Sequence, residues 1–453
     1  MRVVAILFLV ALSVVAAQRG NVLPADRFNQ PGTYALTHVS VIDGTGAPIK
    51  RDQTIVIEGG RIAFVSGAGA GPIPSSAEVL DLTGHTVFPG LVMMHEHLHN
   101  EPSVSAQLWL ARGVTTVRTA GAFEPASDLN MRQWIREGRT PGPELFLSGP
   151  FLSEHAEHLV RIIPLTKLRD ADHARRMVRF SADEGFDAVK VYRGITPPML
   201  RVVVAEARKH RIPVIGHLEA VTCAEAARIG IDSIEHGITG CVNQLTGPDV
   251  PRLRDPQAPA VRALFATLLK HNVAISETPV DLRPLTQAEL AVLHTGSRDD
   301  YERRLASNKL GVGTSTVTDD KQGAPSLTMA FVRAGGTVVL GSDTGGMPRI
   351  PGFSNLRSLK LLYTNYGFDP VEAIRIATYD GARFLRIDKR TGSVAARKEA
   401  DLVVVRGDPS KRMRDVDNIA LVFSNGVRYD PAKLLEANRG LYKFAAHEHA
   451  LRP

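Results

Sequence analysis

The strongest constraint on the fold is a rhythm in the middle of the chain. Between residues 85 and 346, eight short apolar segments recur: "HTVFPGLVMMHEHLH", "GVTTVRTAG", "PELFLSG", "FDAVKVYRG", "IPVIGHLEA", "IDSIEHGIT", "NVAISETPV" and "GTVVLGSDTGG". Most follow a stretch with helical periodicity, such as "DADHARRMVRFSADEG", "PPMLRVVVAEARKHR", "TCAEAARIG" or "APAVRALFATLLKH". Strands that are apolar along their whole length belong to parallel sheets covered on both faces, and the helices supply the cover. Eight such units predict an α/β fold with a closed (β/α)8 TIM-like barrel over residues 89–387. An open doubly wound sheet is the alternative, but no G-x-G-x-x-G turn follows the first strand to support it.

The two ends have a different texture. "YALTHVSVID", "QTIVIEGGRIAFVS" and "AEVLDLTGHTVFPG" read as strands between Gly and Asp turns, and so do "ADLVVVRGD" and "NIALVFSNGVRYD" near the other end. They predict a small β-sandwich domain built from residues 33–88 and 388–432, reached from the barrel through the helical "PVEAIRIATYDGARFL". The polar segment Asp281 to Gln322 is longer than ordinary βα connections, which makes it a candidate lid or a surface insertion.

Residues 1–17, "MRVVAILFLVALSVVAA", have the form of a cleaved signal peptide: basic Arg2, an apolar Val3–Val15 stretch, and small residues before Gln18. The apolar run is short for a membrane span, which needs roughly 20 residues. The expectation is a secreted or periplasmic protein with no stable membrane insertion. Loss of Arg2 lowers the formal charge only from +7 to +6, and the basic residues are scattered without aromatic interleaving. That reads as a solvated basic surface, not a nucleic-acid interface. Cys223 and Cys241 are the only cysteines, and an exported setting permits their pairing without requiring it. A homo-oligomer is left open.

The chemistry collects at the strand ends. His95 and His97 lie two apart, and residues i and i+2 of a strand point to one side. Lys190 lies in the fourth strand, His217 and His236 end the fifth and sixth, and Asp343 ends the eighth. In a barrel all six meet at one mouth, where active sites are built. A lysine among cations must be neutral. Once neutral it can add carbon dioxide, and the carbamate has two oxygens that bridge two metals.

The set "FPGLVMMHEHLH", "GVTTVRTAG", "FDAVKVY", "IPVIGHLEA", "DSIEHG", "VVLGSDTG" and "GSVAARKEADLVVV" resembles the amidohydrolase superfamily, in its metal-dependent peptidase-like and imidazolonepropionase-like branch. The resemblance implies that His95 and His97 hold the more buried of two divalent metals, with zinc the default. It implies N6-carboxylysine at Lys190 as the bridge, His217 and His236 on the second metal, and Asp343 as first-metal ligand and general base. A metal-bound hydroxide would then split an amide or peptide C–N bond of a small molecule, a dipeptide or an N-acyl amino acid. Tyr192 is expected at the substrate oxygen, His155 or His158 in a substrate loop, and Arg193 and Arg349 at a substrate carboxylate. Glu96 and His99 are expected either around the ligands without touching the metals or as loop groups. Two positions depart from the family pattern: Met94 stands where an Asp is usual, and Arg397 replaces a turn glycine.

Three other readings remain. A lactonase or phosphotriesterase would use the same site. A mononuclear deaminase or cyclic-amide hydrolase would want a glutamate where Ala220 stands, with Glu219 the nearby acid, and would leave Lys190 without a role. A catalytically inactive binding protein would have no use for six ligands.

Overall fold

A computed structural model describes residues 29–30, 32–98, 101–155, 163–247, 254–310 and 322–444. The expected leader, residues 1–17, lies outside them. The first part of the chain forms β1 (Asn29–Gln30), β2 (Tyr34–Val41), β3 (Lys50–Glu58), β4 (Arg61–Gly67), β5 (Glu78–Asp81) and β6 (His85–Pro89). The middle forms β7 (Leu91–Glu96), β8 (Val114–Thr119), β9 (Glu144–Phe146), β10 (Ser148–Ser153), β11 (Leu165–Lys167), β12 (Ala188–Val191), β13 (Val214–Gly216), β14 (Ser233–Glu235), β15 (Ala274–Glu277) and β16 (Val338–Leu340). The last part adds β17 (Leu402–Arg406), β18 (Ile419–Ser424) and β19 (Val427–Tyr429).

The two ends share one nine-stranded sheet, ordered β1-β19-β18-β17-β6-β2-β3-β4 with β5 beside β2. β17 runs antiparallel to β6, with Val404 opposite Val87. Leu36, Val39, Ile55, Ile57, Val87, Leu402 and Val404 bury a common apolar face. The sheet curls on itself: Tyr34 of β2 and Phe423 of β18 meet edge to face at 5.3 Å although β6 and β17 lie between their strands. Gly90 then hands the chain from this sheet to the next. Its N–H donates to the Asp401 carbonyl at 2.8 Å, and a Cβ there would fall 2.0 Å from Thr115 Oγ1, so no larger residue fits.

The middle is parallel throughout. β7-β8-β9 form one set and β11-β10-β12-β13-β14-β15-β16 another. The sets touch at both edges: Ala122 N–H donates to Gly149 C=O at 3.1 Å, and Asp343 N–H to His95 C=O at 2.9 Å. Every residue of β7, β8, β10 and β12 to β16 is buried, as strands covered on both faces require. The cover is amphipathic. Helix Pro197–His210 starts on prolines and buries Met199, Leu200, Val203, Val204 and Ala207 along one stripe. Helix Ala171–Asp183 is capped by Asp170, which accepts the His173 N–H at 2.7 Å. Helix Cys223–Ile229 is capped by Thr222 and ended by left-handed Gly230.

Two details differ from the sequence reading. The expected third strand is two, β9 and β10, on either side of Leu147, and β10 gains the short neighbour β11. β11 is only partly buried and has no apolar run to announce it. The described part of the Asp281–Gln322 segment is not a bare overhang. Helices Gln287–Val292 and Thr295–Ala306 seat Val292, Leu293 and Tyr301 against Ile350, Phe353, Tyr442 and Phe444, so the far C-terminal segment straps it in place. Residues 311–321 lie outside the described set. Among the described residues no helix is long and apolar enough to cross a membrane.

Candidate active site

β7 delivers His95, His97 follows one residue past the strand's end, and both rings are buried. Asp343 reaches them from three residues beyond β16, in the left-handed region at φ 52°. The preceding turn packs on β7 so tightly that a Cβ on Gly341 would meet His95 Cβ at 2.5 Å. Asp343 Oδ1 lies 3.5 Å from His95 Nε2 and 3.2 Å from His97 Nε2. The three donor atoms fall within 4.8 Å of one another.

The other nitrogen of each ring decides what these contacts mean. His95 Nδ1 sits 2.6 Å from the Glu235 carboxylate and His97 Nδ1 3.3 Å from the Gly121 carbonyl. Both partners accept only, so a neutral ring at either position carries its proton on Nδ1. Each Nε2 is then a lone pair facing the Asp343 carboxylate. Three acceptors around one point fit a cation, and imidazole with carboxylate suits zinc and similar divalent ions.

Lys190 is fully buried in β12, and among the described residues no hydrogen bond or ion pair of its amine is found. Burial pushes that amine down to about 8, against the pull of Glu235 and with Arg118 adding to the drop. His217 follows β13 and His236 follows β14, each by one residue. Their rings lie 4.2 Å apart, and the His236 ring is 4.6 Å from that of His95. Burial, helped by Lys190 and Arg193, pushes the His217 imidazole down to about 3. Burial, helped by His95, also holds His236 well below the ordinary histidine range, and its Nδ1 lies 3.1 Å from Thr278 Oγ1. The neutral forms favoured here are the ones that can bind a metal. His95, His97 and Asp343 thus share one point, the His236 and His217 rings lie beside them, and Lys190 is near enough for its charge to act on His97, His217 and His236.

Two acids do more than the sequence suggested. Glu96 accepts the Ser342 N–H at 2.8 Å, the Thr344 hydroxyl at 2.5 Å and the Asn355 amide at 2.6 Å. It thereby clamps the chain on both sides of Asp343. Glu235 receives Arg118 Nη2 at 2.8 Å, Ser233 Oγ at 2.8 Å and His95 Nδ1. Arg118 and Glu235 were visible as charges inside the apolar runs "GVTTVRTAG" and "DSIEHG", which was the signal that could have found them.

The expected substrate contacts are placed unevenly. Tyr192 is buried beside His217, ring to ring 5.2 Å, and burial pushes its phenol up to about 12. Arg193 pairs with Glu219 at the rim. Arg349 is turned onto Asp343, Nη1 to Oδ2 2.6 Å, instead of standing open for a substrate carboxylate. Burial would raise the Asp343 carboxyl, but the Arg349 charge beside it holds it well below the usual carboxylate range. His155 is exposed, with its N–H on the Gly194 carbonyl at 3.2 Å. His158 and His99 lie outside the described residues. Cys223 and Cys241 are bonded, joining the segments that follow His217 and His236.

Comparison with known proteins agrees with this architecture. A 5-methylthioadenosine/S-adenosylhomocysteine deaminase of Symbiobacterium thermophilum is 22% identical over 441 residues, which is 89% of this chain and 92% of the relative. A Bifidobacterium longum protein provisionally described as a prolidase shares 26% identity with a TM-score of 0.64 over 90% of this chain and 99% of that one. A Xaa-Pro dipeptidase with bound methionine, 19% identical, shares the fold with a TM-score of 0.64 over 88% of this chain and 100% of that one. The amidohydrolase family model matches residues 86–428, from the last strand before the site to the end of the terminal sheet. The chain therefore belongs to the amidohydrolase family, hydrolases that act on carbon–nitrogen bonds.

Proposed function

We propose that the chain is an exported binuclear hydrolase of a dipeptide or N-acyl amino acid, with a closed eight-stranded barrel and a terminal sheet folded into a sandwich. The observation that carries the proposal is the cluster of His95, His97 and Asp343, whose donor atoms lie within 4.8 Å of one another, with the His236 and His217 rings beside it; the buried Lys190 supports it. Hydrogen bonds at both edges of the parallel sheets support closure, and the Tyr34–Phe423 contact supports the sandwich. The leader pattern and the Cys223–Cys241 bond support export.

His95, His97 and Asp343 would hold one divalent cation, His217 and His236 a second, and carboxylated Lys190 would bridge them, with zinc the default. Such ions supply Lewis acidity toward a carbonyl oxygen and lower the pKa of water. The rest falls to the chain. Asp343, kept ionised by Arg349, orients the attacking water, takes its proton on the carboxylate, and returns it to the departing nitrogen. Tyr192 stays protonated at neutral pH and donates to the oxygen on which charge develops. Glu96 keeps Asp343 from swinging away.

The relatives also act on C–N bonds, so the substrate is decided by assay. The purified protein, with metal content measured, should hydrolyse members of a dipeptide and N-acyl-amino-acid library and lose that activity on chelation. Turnover confined to lactones, phosphotriesters or amino-purines would refute the substrate assignment, and activity indifferent to chelators would refute the metal one.

A further inference from the structure

Beneath the candidate centre lies a charged pair that the hydrolytic reading does not use. Arg118 is on β8 and Glu235 on β14, strands that are not neighbours in either parallel sheet. Their contact therefore crosses the interior, where barrels are normally filled with apolar side chains. Both are essentially inaccessible. Arg118 Nη2 reaches both Glu235 oxygens at 2.8 Å, while its Nε and Nη1 find no hydrogen-bond partner among the described residues and its guanidinium lies 5.6 Å from the Phe384 ring. A buried ion pair of this sort is weak evidence for stability, because desolvation offsets the attraction. Its geometry points elsewhere. Ser233 Oγ fills Oε1 at 2.8 Å, so the oxygen left for the centre is Oε2, and His95 Nδ1 meets it at 2.6 Å.

We propose that the Arg118–Glu235 pair is a positioning device for His95: Glu235 fixes the ring with its proton on Nδ1, and Arg118 and Ser233 fix Glu235. The inference rests on the reading of His95 as a metal ligand. His97 obtains the same tautomer from a neutral carbonyl, Gly121, at the longer distance of 3.3 Å. His95 obtains it from an anion whose charge is cancelled by Arg118, so orientation comes without a surplus negative charge beside Asp343. Hydrogen-bonded partners of this type tune ligand basicity, and their loss typically costs about 10- to 100-fold in metal affinity.

The test compares wild type, Glu235→Gln, Arg118→Gln with Glu235→Gln, and His95→Ala, using zinc as the probe. Two readouts are taken: zinc affinity by competition with a chelating dye, and the tautomer of His95 in the metal-stripped protein by nitrogen-15 NMR of histidine-labelled samples. The expected result is an Nδ1–H tautomer at His95 in wild type, lost in Glu235→Gln. Zinc binding should weaken about 10- to 100-fold in that single variant. The double variant should recover part of the affinity, because the uncompensated Arg118 charge is gone, but not the tautomer. Wild-type apoprotein with the His95 proton on Nε2 overturns the inference without any variant. So does a folded Glu235→Gln that keeps both tautomer and affinity while His95→Ala loses zinc. If His95→Ala binds zinc like wild type, the ligand reading itself has failed, and the positioning role with it.

Discussion

Glu96 lies between His95 and His97 in sequence, yet its carboxylate accepts the backbone N–H of Ser342 at 2.8 Å, one residue before Asp343. It also accepts from Thr344 on the other side, so one acid on β7 holds the left-handed turn that presents the candidate base. Glu96→Ala should leave buried donors of Ser342, Thr344 and Asn355 without a partner. Each such donor costs about 1–3 kcal/mol. The turnover number should fall at least about tenfold, the equivalent of about 1.4 kcal/mol in the barrier, with KM little changed. Glu96→Gln, which keeps one acceptor oxygen, should fall less. Equal kinetic parameters in Glu96→Ala and wild type would contradict the clamp.

Lys190 gives a prediction that needs no substrate. With its amine near 8, the fraction free to add carbon dioxide rises as pH is raised through that value. Carbon-13 bicarbonate added to the protein should therefore give a carbamate resonance that grows between about pH 7 and pH 9 and is absent in Lys190→Met. The same variant should hold less metal than wild type by elemental analysis. A resonance that survives the substitution would place the carbamate elsewhere.

The Cys223–Cys241 bond closes a loop of sequence separation 18 around the segments that follow His217 and His236. For a loop of that length the chain-entropy model gives about 3 kcal/mol of stabilisation. Replacing both cysteines with alanine should lower the unfolding free energy by a comparable amount in urea titration. It should also weaken metal retention, because His217 and His236 lose the tie between their strand ends. A variant as stable as wild type would show that the closed loop contributes nothing.

Asp401 offers a pH test of stability away from the site. It is buried, accepts the Thr391 hydroxyl at 2.6 Å and the Asn425 N–H at 2.8 Å, and burial pushes its carboxyl up to about 6 from an ordinary 3.8. Between those values the folded chain holds the proton more firmly than the unfolded one, so this residue's contribution to stability falls as pH rises from about 4 to about 6. Asp401→Asn stays neutral, its amide oxygen accepting the Asn425 N–H and its NH2 donating to the Thr391 hydroxyl. Its stability relative to wild type should rise across that window, by up to about 3 kcal/mol, and level off above it. A pH-independent difference would contradict the assignment.

The sequence carried the parallel core because its period is coarse: apolar strands such as Ala188–Val191 and Val214–Gly216 stand out between helices with clear caps. His95, His97 and Asp343, which the fold brings together, were legible as polar residues at or just beyond the ends of such runs. The division of the third strand at Leu147 and the half-exposed Leu165–Lys167 were not legible, since neither has a turn residue or an alternation to mark it. Nor was the turn of Arg349 toward Asp343, which depends on how the loop after β16 folds back and not on any local pattern. The Arg118–Glu235 contact joins residues 117 apart in sequence, a distance at which no pattern read along the chain can show a pairing.

The proposed centre would gather two cations with six side chains. Anomalous diffraction from crystals of the zinc-loaded protein tests it most directly. Two peaks are expected, one among His95, His97 and Asp343 and one at His217 and His236, with density for an added carboxyl group on Lys190 between them. A zinc-loaded crystal with no peak at these side chains, or with the Lys190 amine unmodified and turned from both ions, would contradict it.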